Sequence, residues 1–205
     1  MLKNKYIYRI VCLLSLCLLS LFLVTIFKEH QLQKELSQKI LRFHVLANSN
    51  SPKDQEEKMQ VKNAVTEFLQ PLLQNASSKE ETIACLKDQL YNIKEISQTR
   101  TAAQNVSVSL EKDWFPSITY GDCTFPAGIY DTLRITIGES QGKNWWCVLY
   151  PGLCFSNAVK PVATTEDKTL LKNTLSEECY DFLMRPAKTK IRFRLFGLEF
   201  FKQNS

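Results

Sequence analysis

The sequence predicts an α+β protein in which an N-terminal membrane segment is followed by one mixed domain with an antiparallel sheet and about three helices. Apolar residues recur with a helical period in some stretches and alternate with polar residues in others, so helices and strands are both expected. A long uncharged run precedes all of these stretches. No internal repeat or low-complexity tract interrupts the pattern.

The uncharged run covers residues 10–27 and follows the basic residues Lys3, Lys5 and Arg9. A signal-peptide core is about 7–15 residues long and a membrane-spanning helix needs about 20, so this run lies between the two. A positive flank stays in the cytoplasm, and we therefore expect the rest of the chain to be exported. No Ala-x-Ala cleavage pattern follows, which favours a retained anchor over a processed, secreted form; both alternatives remain open.

Residues 1–27 are thus predicted to be a signal sequence or signal anchor. Residues 28–40 are charged and lack a clear apolar face, which predicts a juxtamembrane stalk. Residues 41–205 are predicted to form a single exported α+β domain, large enough to bury a sizeable core. Residues 28–205, which exclude the three basic residues of the N-terminus, contain 23 basic and 21 acidic residues, so the exported part is nearly neutral and a nucleic-acid partner is not expected.

The elements of the domain follow in order. Residues 41–47 alternate as a strand; Ser51, Pro52 and Asp54 then predict a helix start, with Pro71 ending or kinking that helix. A second helix is predicted from Ser78, and two strands from residues 106–110 and 130–137. A hairpin loop leads to the strand NWWCVLY, residues 144–150. A helix over residues 166–184 and a terminal strand over residues 190–201 complete the prediction.

The strand at residues 144–150 carries two adjacent tryptophans, Trp145 and Trp146, and is apolar on both faces. We therefore expect a central strand that is covered on both sides. Pro151 and Gly152 predict a type II turn, which would bring Cys154 to a diagonal position on the face of Cys147. Diagonal positions lie roughly 7–8 Å apart, and a disulfide requires Cα atoms about 4.4–6.8 Å apart.

A disulfide between Cys147 and Cys154 is the favoured prediction, because the exported compartment is oxidising. The alternative is a pair of reduced thiols that pack as small apolar side chains. Five cysteines follow the apolar run, and with no Cys-x-x-Cys pair and only two histidines in the chain we expect no metal or other cofactor. The pairing among the five, which are Cys85, Cys123, Cys147, Cys154 and Cys179, is left open by the sequence.

If the protein were an enzyme, such as a cysteine-dependent cell-envelope hydrolase, Cys147 would be the nucleophile and His44 its base. Cys147 lies in mid-strand and not at a helix N-terminus, where a thiolate would be stabilised. We therefore expect no catalytic residues and keep the hydrolase as the alternative function. A structural envelope protein without a receptor is a third hypothesis.

Two blocks of the sequence resemble the stage II sporulation protein R family. The first is LRFHVLANSNS at residues 41–51, followed by Asp54 and Gln55. The second runs from PAGIY at residues 126–130 to NWWCVLYPGLC at residues 144–154. The family usually has aspartate where Asn50 stands, glycine where Ser140 stands and a second proline where Gly152 stands.

The resemblance implies a signalling protein and not an enzyme. Members of the family are exported from the forespore into the space between the two membranes. There they activate a membrane-embedded aspartic protease of the mother cell, which cleaves the precursor of sigma-E. The resemblance therefore implies the extracellular part of that protease as partner, with the membrane contacted through residues 10–27. On the domain we expect the partner to be bound by His44, Asn48, Ser49, Trp145 and Trp146.

Overall fold

The computed structural model describes residues 2–103, 105–155 and 165–185 and confirms the α+β class. Its five helices are α1 (Leu2–Lys39), α2 (Pro52–Leu73), α3 (Lys79–Gln98), α4 (Thr165–Thr174) and α5 (Glu177–Leu183). Its six strands are β1 (Leu41–Leu46), β2 (Val106–Phe115), β3 (Ile118–Tyr120), β4 (Cys123–Phe125), β5 (Gly128–Ile137) and β6 (Asn144–Tyr150). The predicted terminal strand lies outside the described residues.

Four strands form one sheet in the order β2-β5-β1-β6, and β3 pairs with β4 in a separate hairpin. The sheet is mixed and not antiparallel as predicted, because β1 and β5 run parallel. The two helices after β1 carry the chain across one face to the edge strand β2, and β5 then returns between β2 and β1. Such a crossover is what a parallel pair requires.

Strand β6 is covered on both faces as expected, but its predicted central position is wrong. Within the described part of the chain, β6 pairs with β1 alone and forms an edge of the sheet. The predicted type II turn after it is also wrong, because Gly152 does not have the positive φ that this turn needs. The chain instead enters a 3₁₀ turn, Leu153–Phe155.

The sheet separates two apolar cores. One lies against α2 and α3 and contains Phe43, Leu133 and Cys147. The other lies against α1, α4, α5 and the β3–β4 hairpin, and contains Leu36 and Val148. Successive side chains of one strand point to opposite faces of the sheet. Both can therefore be buried, one in each core.

Helix α1 contains the uncharged run and continues through the predicted stalk to Lys39. Among the described residues it is the one helix long and apolar enough to cross a membrane. Residues 28–39 depart from the prediction of a stalk, since Leu32 and Leu36 of this segment are buried in the second core. These side chains lie four positions apart and share a helix face, although the charged residues between them obscure this in the sequence. Glu35 accepts hydrogen bonds from Ser176, which lies between α4 and α5.

Candidate partner-binding end of the sheet

Two loops meet at the end of the sheet that is remote from α1. They are residues 47–51, which follow β1, and residues 138–143, which connect β5 to β6. The Gly142 amide donates to the Ala47 carbonyl at 2.9 Å, and the Gln141 amide donates to the Asn48 carbonyl at 3.0 Å. The Asn48 side-chain oxygen accepts from the Glu139 amide at 2.9 Å. The two loops therefore form one braced unit.

Asp54 in the first turn of α2 ties this unit to the helix. Its Oδ2 accepts from Asn48 Nδ2 at 3.0 Å and from the Ser49 hydroxyl. Both hydrogen bonds favour the ionised carboxylate and so lower the pKa of Asp54, and the bond from Ser49 has the larger effect. Two of the predicted partner-binding residues, Asn48 and Ser49, are thus half-exposed residues with a structural role.

Two glycines allow the loops to approach this closely. Gly138 has a φ of +56°, and a Cβ there would lie 2.1 Å from Asn48 Oδ1. A Cβ at Gly142 would lie 2.3 Å from the Ser49 carbonyl oxygen. Ser140 between them has a φ of 56°, in the left-handed region that costs an L-residue roughly 1–2 kcal/mol. Glycine at this position would adopt the same φ without this steric cost.

Lys58 of α2 supports the loops from beneath. It is buried, and its Nζ donates to Gln55 Oε1 at 2.7 Å and to the Lys143 carbonyl at 3.0 Å. Burial, and to a lesser extent the nearby charge of Lys143, lowers the pKa of Lys58. Lys58 was not identified from the sequence, because a lysine in a helix rich in charged residues is expected to be exposed to solvent.

His44 is buried beneath the same end of the sheet, although the alternation along β1 predicts an exposed face. Its Nδ1 lies 2.6 Å from Asp113 Oδ2, and its Nε2 lies 2.9 Å from Asn144 Oδ1. Arg134 approaches the same Asp113 oxygen at 3.8 Å. His44 is therefore enclosed by polar partners that orient its ring, and it presents little surface to a partner.

The two tryptophans lie on opposite faces of β6 and are both half-buried. Trp145 packs edge-on against Phe43, with ring centroids 5.5 Å apart, and Lys62 Nζ lies 5.1 Å from its ring. Trp146 packs against His44, with centroids 5.6 Å apart. Each tryptophan contributes to a core and also keeps an exposed part, so the geometry is compatible with a packing role and with a partner-binding role.

Arg42, which the sequence analysis did not single out, is fully buried in the second core. Its Cζ lies 4.5 Å from the ring centroid of Phe115, 5.7 Å from that of Tyr120, and 5.4 Å from those of Phe125 and Tyr130. Nη2 donates to the Tyr120 hydroxyl at 3.2 Å, while Nε and Nη1 have no hydrogen-bond partner within the described residues. Burial raises the pKa of both tyrosines, that of Tyr130 to about 12. No local pattern reveals this cluster, because its rings come from distant parts of the chain.

Cys147 and Cys154 are both buried free thiols in the structure, and Cys147 Sγ donates to the Val148 carbonyl at 3.7 Å. Burial, followed by the contact with Cys147, raises the pKa of Cys154. The disulfide between them stays a prediction. Cys147 is paired with Phe43 on the α2–α3 face, whereas His44 lies opposite Trp146 on the other face. The sheet therefore separates Cys147 from His44, and the two do not form a catalytic dyad.

Metal ligands are not clustered in the part of the chain that the structure describes: it contains no group of three or more His, Cys, Asp or Glu side chains that could hold an ion. A groove of about 650 Å³ lies near Lys79 at the other end of the sheet. The Nζ of Lys79 donates to the Ser37 and Gln38 carbonyls at 2.8 and 3.0 Å and lies 2.6 Å from Asp131 Oδ2. Its hydrogen-bond donors are therefore all used within the protein.

This chain is similar in sequence to known proteins of one family. The sequence profile of stage II sporulation protein R matches residues 37–160. This range contains β1, the braced loops and β6. Stage II sporulation protein R of Bacillus subtilis (strain 168) is 34% identical over 194 residues, which cover 88% of this chain and 86% of that protein. No solved structure matches.

Proposed function

The chain belongs to the stage II sporulation protein R family, and on this premise we propose that it is an exported signal that activates a membrane-embedded aspartic protease. In this proposal the protein crosses the forespore membrane and contacts the extracellular part of the mother-cell enzyme. The enzyme then cleaves the precursor of sigma-E. The observation that carries the proposal is the family match over residues 37–160, which includes every residue that we expect to bind the partner.

The braced loops and the exposed parts of the tryptophans are the proposed contact surface. A ligand activates an enzyme by binding its active state more tightly than its inactive state, and a surface that is already ordered loses little conformational entropy on binding. The hydrogen bonds from Asn48 and Ser49 to Asp54 provide such order. Trp145 and Trp146 supply large apolar area of the kind enriched at binding hot spots. His44 acts indirectly, as a positioning residue beneath Trp146.

The first experiment measures cleavage of the sigma-E precursor in a vegetative host that also produces the mother-cell protease. It compares the full chain with a version lacking residues 2–27. Cleavage with the full chain alone supports a signal that acts from outside the membrane. If the full chain is exported and folded but the precursor stays intact, the signalling proposal is wrong, and a structural role in the envelope becomes the better explanation.

The second experiment locates the contact surface. We expect Trp145→Phe and Trp146→Phe to keep much of the packing, since phenylalanine fills most of the same space, while reducing cleavage several-fold. Tyr91→Phe on α3 is the matched control, because this side chain is 72% exposed and lies outside the proposed surface. Normal cleavage by both tryptophan variants would move the contact surface elsewhere. Loss of folding in either would assign that tryptophan to the core.

A further inference from the structure

Two large apolar side chains lie exposed next to each other where β2 ends and β5 begins. Trp114 is 54% exposed and Ile129 is 57% exposed, and the two are cross-strand partners. Further along the same strands and on the same face, Leu110 and its partner Leu133 belong to the core beneath α2 and α3. Single exposed apolar residues are ordinary, but an adjacent pair at the uncovered end of a sheet indicates a contact surface.

The pair lies directly beside α1. Trp114 and Ile129 line an open groove of about 690 Å³ together with His30 and Gln33 of that helix and with Lys112. Contact between β5 and the helix is close, since a Cβ on Gly128 would lie 2.1 Å from Gln33 Nε2.

This position corresponds to the depth of lipid headgroups. Phe27 is the last residue of the uncharged run, and Gln33 follows six residues later in the same helix. At about 1.5 Å per residue, Gln33 lies about 9 Å beyond the run and His30 about 5 Å beyond it. Each headgroup layer of a bilayer is roughly 5–8 Å thick. A bilayer that surrounds residues 10–27 would therefore place its headgroups at the level of the groove.

The chemistry of the groove fits the boundary between headgroups and acyl chains. Tryptophan is enriched at this boundary, because its ring is apolar and its N–H remains able to donate. Exposed lysines near the membrane surface attract anionic lipids, and Lys112 lies in the same groove.

We propose that Trp114 and Ile129 insert into the headgroup boundary of the bilayer that α1 spans, forming a second membrane contact of the domain. This inference rests on the retention of α1 as an anchor. The helix and the pair then contact the same membrane at two points. Tilting of the domain against the membrane is restricted, and the braced loops keep one orientation relative to the bilayer.

The test uses the full chain in nanodiscs that hold a single copy, made from anionic lipids brominated near the headgroup. Bromine quenches tryptophan emission at short range, and the chain has three tryptophans. We expect brominated lipid to remove roughly a third of the wild-type emission, and Trp114→Phe to abolish this loss. Trp145→Phe should retain it, because Trp145 lies at the start of β6, next to the remote loops.

Emission that is equal in plain and brominated discs would overturn the proposal. So would equal quenching of wild type and Trp114→Phe. Quenching by iodide that is as strong in the disc as in detergent would instead assign the pair to a protein partner, and cross-linking only in two-copy discs would assign it to a second copy of this chain.

Whether α1 stays inserted in the bilayer is measured in the same discs, with a water-soluble maleimide that labels Cys12 and Cys17 of α1 when they are exposed to water. Protection of both shows that the helix is inserted. Rapid labelling would overturn the proposal together with its premise, while the signalling proposal keeps its own test in the cleavage assay.

Discussion

Replacing Tyr120 with phenylalanine removes one buried hydroxyl that makes two hydrogen bonds. Tyr120 is 2% exposed; its hydroxyl accepts from Arg42 Nη2 at 3.2 Å and donates to the Trp146 carbonyl at 3.1 Å. A hydrogen bond to a charged group contributes about 1.5–3 kcal/mol and one between neutral groups about 1 kcal/mol. We expect Tyr120→Phe to lower the free energy of unfolding by about 3 kcal/mol.

The effect should depend on the arginine. In an Arg42→Met background the charged donor is gone, so Tyr120→Phe loses only the bond to the Trp146 carbonyl and should cost about 1 kcal/mol. The difference of about 2 kcal/mol is the coupling energy of a double-mutant cycle. Arg42→Met alone has a small expected effect, because the lost contacts with four rings are offset by the removal of a buried charge that lacks a carboxylate partner among the described residues.

The assay is urea unfolding of the full chain in detergent micelles, followed by tryptophan emission. Tyr91→Phe is the control, since its exposed ring should change stability by less than about 0.5 kcal/mol. A cost for Tyr120→Phe that is below about 1 kcal/mol, or that is equal in both backgrounds, would refute the reasoning that the buried guanidinium depends on this hydroxyl.

Three further predictions concern stability measured by the same unfolding assay. Ser140→Gly should stabilise the protein by roughly 0.5–1 kcal/mol, because relief of the left-handed backbone exceeds the entropy that glycine loses; a destabilised variant would contradict this. Lys79→Met should cost about 3 kcal/mol, because it removes the buried ammonium that holds the last turn of α1, whereas Lys87→Met on the exposed face of α3 should be neutral. Burial raises the pKa of Cys123 to about 11 and that of Cys179 to about 12, so above the ordinary thiol pKa near 9 only the unfolded chain loses these protons. Stability should therefore fall between pH 9 and pH 12, and the slope should be shallower when both cysteines are replaced by alanine; an unchanged slope would assign the alkaline loss to other groups.

The elements that local rules control were predictable from the sequence. Ser51 and Ser78 were expected to begin helices, and their side chains accept hydrogen bonds from the Asp54 and Glu81 amides as N-caps. In contrast, the helix predicted over residues 166–184 is divided at Ser176, which caps α5. A serine inside an apolar helical pattern gives no local indication of whether it continues the helix or begins another.

The arrangement of the strands could not be predicted, because alternation indicates which residues share a face and not which strand lies beside another. The apolar pattern of β6 correctly indicated cover on both faces, and an edge strand between two cores has the same pattern as a central one.

The candidate site was predicted only in part from the sequence. Sequence reasoning identified His44 and the loop after β1, but Lys58 and Arg42 have partners that are close only after folding.

The junction between α1 and β1 has a mechanical consequence. The helix ends at Lys39 and the central strand begins at Leu41, so no flexible linker separates them. A flexible linker of 13 residues would let a tethered domain wander over about 20 Å. The last 12 residues of the helix, about 18 Å long, instead act as a rigid post inside the domain, with Leu32 and Leu36 in its second core. As long as the post stays intact, the domain is held at a set height close to the membrane, and a receptor on an opposing surface must approach it there.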